Sequence, residues 1–437
     1  MTAKIRSVLL VLLLIGVYLY VERDRGISGA SAETEASVLQ GERSDEPGTG
    51  AEKTELTIWS SLPLSEYDIS QYEAANPGIE VELNVMDNET QLVERSLDNL
   101  ADGTAPDILV LSHRMLGTFN TIEKLADLSS PPFSIAENLR NDVGDYVWNI
   151  HHSLDGRRLI AVPYEIHPNV LYYRADLLQE AGFPTDPNEL AEYLEAPGNW
   201  LKLTKEMSRR GVATTEWTND AVRTIGGGQF LFDRKLNFMR SNDKYKQAIE
   251  AAAVSKPSSA NVTIWNSNGQ DQLKQGKLGM VMLPDWGEGT LAGWLPEQSG
   301  KWRATALPFG ARAIDYGSSR SFAVSLQSRH KEAAAKFLNG ILHSSGSMNW
   351  LRASKESVFL GGQDSAALYQ RLIREQPAEA VPTPLDDTAF EIWSTTLEYA
   401  INKGMSAEDT LDAVQRQISD RLTVKQRQLV DYNDRYK

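Results

Sequence analysis

The chain has 437 residues, 59 acidic against 44 basic, a formal net charge of −15, and no cysteine. The charge argues against a nucleic-acid partner, which needs a basic surface, and the missing cysteines exclude disulfides, thiolate metal sites and a lipid-modified cysteine. Hydrophobic residues make up 41% of the chain, enough for globular cores, and about 380 residues beyond the leader exceed what one compact core holds.

Lys4 and Arg6 precede Val8–Val21, an apolar run broken only by Gly16 and tyrosines and followed by Glu22-Arg23-Asp24-Arg25. A basic start and a short apolar stretch read as an export signal. Ala30-Ser31-Ala32 offers a cleavage site, but the charged spacer before it leaves an uncleaved anchor open. Residues 1–27 are thus a signal peptide or a signal anchor. Residues 28–53, rich in Gly, Ser, Ala and Glu, form a flexible tether.

The pattern then alternates. Leu56–Trp59 predicts a strand, Glu66–Ala75 a helix and Ile79–Val85 a period-two strand. Glu89–Ala101 places Leu92, Val93, Leu97 and Leu100 on one helical face, and Asp107–Leu111 is a buried-type strand. This β-α-β-α-β order implies a parallel sheet whose ligands meet the carboxyl ends of the strands, here Trp59-Ser60-Ser61 and Ser112-His113-Arg114. Leu116, Phe119, Ile122 and Leu125 give a further helical stripe. His151-His152 is adjacent, not spaced by a helical turn, and reads as a solvated loop, not a metal site.

Asp155-Gly156 is a turn pair. Two short strand-like runs follow, Leu159–Val162 and Val170–Tyr173, separated by Pro163-Tyr164-Glu165-Ile166-His167-Pro168. Two prolines keep that segment out of the middle of a central strand. Asp176 is the expected N-cap of a helix that Gly182 ends. Beyond it the chain is mostly helical to Ala253. Met280–Leu283 and Phe322–Leu326 read as strands. Glu332–Leu342 and Phe390–Asn402 read as helices, and Ser406 caps another whose face is Leu411, Val414, Ile418 and Leu422.

Asp155–Gly182 resembles a segment of the extracellular solute-binding proteins of bacterial ABC importers, in the maltose- and oligosaccharide-binding branch. There a Gly-turn and a Val-Pro step lead to a crossover between lobes, then to a Tyr-Asn…Gly segment. Arg174 stands here where that family has Asn. Six other segments are similar, in the family's order: Leu56–Ser61, Asn76–Leu83, Gly103–Leu111, Lys274–Trp286, Trp302–Val324 and Lys331–Leu338. The resemblance spans Leu56 to Leu422.

The resemblance implies an α/β, two-lobed periplasmic-binding-protein-like fold with a ligand cleft between lobes. Lobe one is expected over 54–165 and 320–385, lobe two over 166–319 and 386–437, with crossovers at Tyr164–Pro168 and Tyr316–Arg320. It implies no enzyme, cofactor or metal. The expected function is extracytoplasmic capture of a carbohydrate, an oligosaccharide, by a secreted or membrane-tethered monomer that delivers it to the ABC permease subunits. A carbohydrate-active enzyme and a ligand-presenting sensor subunit are the alternatives. Sugar rings stack on aromatic faces while their hydroxyls need planar polar partners. Candidate ligand residues are Trp59, Ser60, Ser61, His113, Arg114, Tyr164, Glu165, His167, Trp286, Ser318, Ser319, Arg320 and Trp393. For Trp393 and Phe390 a core role is the stronger reading.

Overall fold

In the computed structural model the described residues are 53–135, 138–227, 230–254, 258–343 and 356–435. The export signal and, apart from Lys53, the tether lie outside them.

The chain opens with β1 (Thr54–Ser60), α1 (Glu66–Ala75), β2 (Ile79–Val85), α2 (Glu89–Asp102) and β3 (Ile108–Ser112), the alternation that the sequence predicts. β1 lies between β2 and β3, parallel to both. Leu56 and Ile58 are fully buried while Thr57 and Trp59 are only partly so, the period of a pleated strand. Asn88 caps α2 by accepting the Gln91 N–H, worth about 1 kcal/mol. Gly103 closes α2 at φ 82°, a left-handed position that costs glycine nothing.

The helical stripe expected through Leu125 is cut short. After the His113–Met115 turn, helix covers only Leu116–Phe119. The chain bends away because Asn120 Nδ2 donates to the Pro382 carbonyl and Leu125 pairs with Ser325. The solvated-loop reading of His151-His152 also fails. Both follow α3 (Asn138–Ile150), and their Nδ1 atoms bind the carbonyls of Val147 and Trp148 four residues back. His151 is 1% exposed, with Nε2 on the Ser321 hydroxyl.

β4 (Val162–Glu165) carries Pro163 and is an edge strand, where the missing donor is harmless. β5 (Asn169–Arg174) begins the second lobe, and α4 (Ala175–Ala181) follows it. Asp176 is not the N-cap but a first-turn residue. Arg174 holds that place, and its guanidinium grips the Asp176 carboxylate at 2.6 and 2.8 Å. β6 (Met280–Pro284) and β7 (Trp302–Thr305) flank β5, both antiparallel to it. The chain then returns to lobe one as β8 (Arg320–Val324), which lies between β3 and β4, antiparallel to both. This strand starts two residues earlier than expected, because Arg320 pairs with Glu165 and the chain leaves the sheet at Ser325 to bind the Asp107 carbonyl.

α5 (Lys331–His343) covers lobe one. Residues 356–364 pack on lobe two: Phe359 stacks on Trp302, and the Gln363 amide pairs with both backbone groups of Ala304, covering the β7 edge. α6 (Ser365–Arg374), α7 (Asp386–Lys403) and α8 (Ala407–Arg435) complete the chain. The cores are two. One surrounds Leu56, Ile108–Leu111, Phe322 and Phe337, the other Tyr173, Trp200, Met280, Trp393 and Val414.

Candidate ligand site between the lobes

Two crossing strands run side by side between the lobes. The first leaves β4 at Glu165 and enters β5 at Asn169. The second descends from Ala313 to Ser319. They are hydrogen-bonded to each other, Asn169 N to Ala313 O and Asp315 N to His167 O. A third crossing near Thr383 presses on Gly117, where an added Cβ would lie 2.3 Å from the Thr383 carbonyl oxygen.

The first crossing holds four charges in a closed set. Arg320 donates Nε and Nη2 to Glu165 at 2.8 and 2.7 Å, and Nη1 to the Pro63 carbonyl at 3.0 Å. Its guanidinium lies 5.2 Å from the Tyr164 ring centroid. His167 Nδ1 meets Asp285 Oδ1 at 2.7 Å, and Nε2 lies 3.9 Å from Glu165. Burial penalises the imidazolium, but Asp285 and then Glu165 outweigh it, and His167 is pushed up to about 10. Burial likewise opposes the Glu165 carboxylate, yet His167 and Arg320 hold it below the ordinary range.

The second crossing turns on Asp315, which accepts the Ser318 N–H at 3.0 Å and the Ser318 hydroxyl. Ser318 Oγ in turn accepts Trp286 Nε1 at 3.1 Å, which ties the end of β6 to this crossing. Ser319 is fully buried, its hydroxyl taking the His167 N–H and its carbonyl the His113 N–H.

The structure thus brings Tyr164, Glu165, His167, Trp286, Ser318, Ser319 and Arg320 together. Ser60 and Ser61 shortly precede Pro63, whose carbonyl accepts from Arg320; the Ser60 hydroxyl is engaged with Leu62. Trp59 is half-buried against the lobe-one core. His113 is fully buried, edge-on to His151, and burial keeps it neutral. Arg114 is exposed and reaches across to Asp387 on α7 at 3.3 Å. Trp393 is not brought to the crossings. It is 1% exposed and packs against Tyr245 and Phe238 in the core of lobe two.

Sequence reasoning missed several junction residues. Tyr146 on α3 shares a hydroxyl contact of 2.7 Å with Tyr316, and Phe230 stacks on Tyr316 at 4.3 Å. Asp285 lies within the Lys274–Trp286 segment but is not among the candidate ligand residues. Asp315 and Asp387 had no signal that separates them from ordinary surface acids. A cavity of about 510 Å3 opens elsewhere, on lobe two between Asn188, Arg303, Gln363 and Arg371.

Residues 69–356 match the model of a family described as bacterial extracellular solute-binding protein. A lactose-binding protein of Rhizobium radiobacter is 28% identical over 321 residues, 67% of this chain and 71% of the relative. Among solved structures, the galacto-N-biose-/lacto-N-biose I-binding protein of an ABC transporter from Bifidobacterium longum aligns with a TM-score of 0.65 at 17% identity, covering 86% of this chain and 98% of the other. The sugar-binding protein MalE from Xanthomonas citri aligns at 0.67 and 16% identity, covering 86% and 99%. These likenesses show a shared two-lobed fold, and the family match, spanning more than half of the sequence, places this chain among the bacterial extracellular solute-binding proteins.

Proposed function

We propose that the protein captures a carbohydrate outside the cytoplasm by closing its two lobes, and hands it unaltered to the membrane permease of an ABC importer. The observation that carries this reading is the convergence of Trp286, Glu165, His167, Ser318 and Arg320 from two lobes and two crossings. An indole face and planar polar groups suit a sugar ring. The lactose-binding relative supports the same ligand class. A ligand touching both lobes only when they are closed draws the equilibrium toward closure. Trp59, Ser60 and Ser61 supply the opposite wall. The apolar run Val8–Val21 exports the chain and, if retained, tethers it. No helix among the described residues is long and apolar enough to cross a membrane.

A thermal-shift screen of the full chain over mono- and disaccharides tests this. A sugar that binds only the folded state raises the Tm. Small-angle scattering with that sugar should show a smaller radius of gyration, and chromatography should recover the sugar intact. No shift with any sugar overturns the reading. Recovered hydrolysis products replace it with a carbohydrate-active enzyme.

A further inference from the structure

Tyr172 lies in the middle of the lobe-two sheet, on β5 between β6 and β7, and is fully buried. Packing alone asks only for a ring there, because a buried hydroxyl costs stability unless it is hydrogen-bonded. This hydroxyl is bonded in three directions. It donates to the Asp285 carbonyl at 2.8 Å and accepts the Glu288 N–H at 3.0 Å. Its third contact is the Tyr369 hydroxyl of α6 at 3.2 Å, which also lies 3.2 Å from Glu288 Oε2. Tyr172 thus grips the backbone on both sides of Trp286. The turn also lies tight against its ring: a Cβ added at Gly287 would sit 3.0 Å from Tyr172 Cε2 and 2.7 Å from Leu283 Cβ. The Asp285 side chain adds a bond to the Trp286 N–H at 3.0 Å. Burial pushes both phenols well above their ordinary range, so both keep their protons.

We propose that Tyr172 is a positioning residue for the solute: through the Asp285 carbonyl and the Glu288 N–H it fixes the turn that carries Trp286, and Tyr369 holds Tyr172 in place. The indole is then aimed before a sugar arrives, so binding costs less ordering of the turn. A phenylalanine at position 172 would fill the same space and release both backbone groups. This rests on the reading that Trp286 stacks on a sugar and deepens it: the affinity of the cleft is set from inside lobe two.

The test is a double-mutant cycle, read by calorimetry on the full chain with galactose, glucose, lactose and maltose. Tyr172→Phe should weaken the tightest of them roughly fivefold, and Tyr369→Phe roughly twofold, the scale of one or two hydrogen bonds. In a Trp286→Ala background neither change should weaken binding further, which a general loss of packing would not reproduce. Tyr369→Phe carries the same cycle if Tyr172→Phe fails to fold. An equal loss with and without Trp286, no loss in the wild-type background, or a Trp286→Ala variant of unchanged affinity overturns this inference and leaves the carbohydrate reading standing. Binding of none of these sugars by the wild type overturns both.

Discussion

Two charged groups at the junction are built on opposite plans. At the first crossing, Glu165 and Asp285 face Arg320 and His167, two against two, with contacts down to 2.7 Å. At the rim, Arg114 meets Asp387 in an ion pair that is 3.3 Å long and largely exposed, and Asp315 is held by Ser318. Removing charges from water is repaid only when each finds a partner of good geometry. The first set meets that condition within the protein, so it is already assembled when a solute arrives: it joins β4, β8, the first crossing and the end of β6. The second set does not meet it.

The largest effect should come from breaking the balanced set. His167→Gln leaves Asp285 and Glu165 without their shared cation and should cost about 3 kcal/mol at pH 7 in urea unfolding. The pH dependence sharpens this. His167 is raised in the folded state, so its contribution is fully present below its ordinary 6.5 and is lost as pH rises through about 10. The gap between wild type and variant should therefore narrow steadily from pH 7 to pH 10. A gap that stays constant would mean the imidazolium is not what holds the crossing together.

A smaller effect, read in binding and not in folding, is expected from the link between the two sets. Trp286 follows β6, next to Asp285, and donates to Ser318, whose hydroxyl binds Asp315 of the rim. Trp286→Ala should weaken sugar binding by about 2 kcal/mol, the scale of a lost aromatic anchor. Because the side chain is only half-buried, the urea midpoint should move little. Unchanged affinity by calorimetry would take Trp286 out of the binding surface.

The fold was largely legible because its signals are local. Period-two strands at Ile79–Val85, a stripe through Leu92 and Leu100, and glycines at 103, 182 and 404 each mark an element by themselves. Where expectation failed, a distant partner had intervened. Pro382 and Ser325 curtail the helix after Phe119, and Ser321 and the α3 carbonyls bury His151. The crossings were legible too, since Pro163, Pro168 and the chemistry between them sit in one short stretch. The rim was not. Asp315 and Asp387 are far apart in sequence, and Asp387 looks like any acid in a first helical turn. Phe230 and Tyr146 meet Tyr316 from segments far apart in the chain, a contact that no local pattern announces.

The smallest expected effect tests the rim itself. Arg114 and Asp387 join the lobes through side chains that are 57% and 66% exposed. An exposed pair of this kind is worth little, since water screens it and two long side chains lose freedom to hold it. Arg114→Met keeps the apolar stem and removes the charge. Its urea midpoint should correspond to a loss of no more than about 0.5 kcal/mol. A stability loss above about 1 kcal/mol would put Arg114 in a mechanical network like that of Arg320, beyond the range of an exposed pair. The contrast between a tightly paired hinge and a loosely paired rim would then collapse, because the rim too would be using its charges to hold the lobes together.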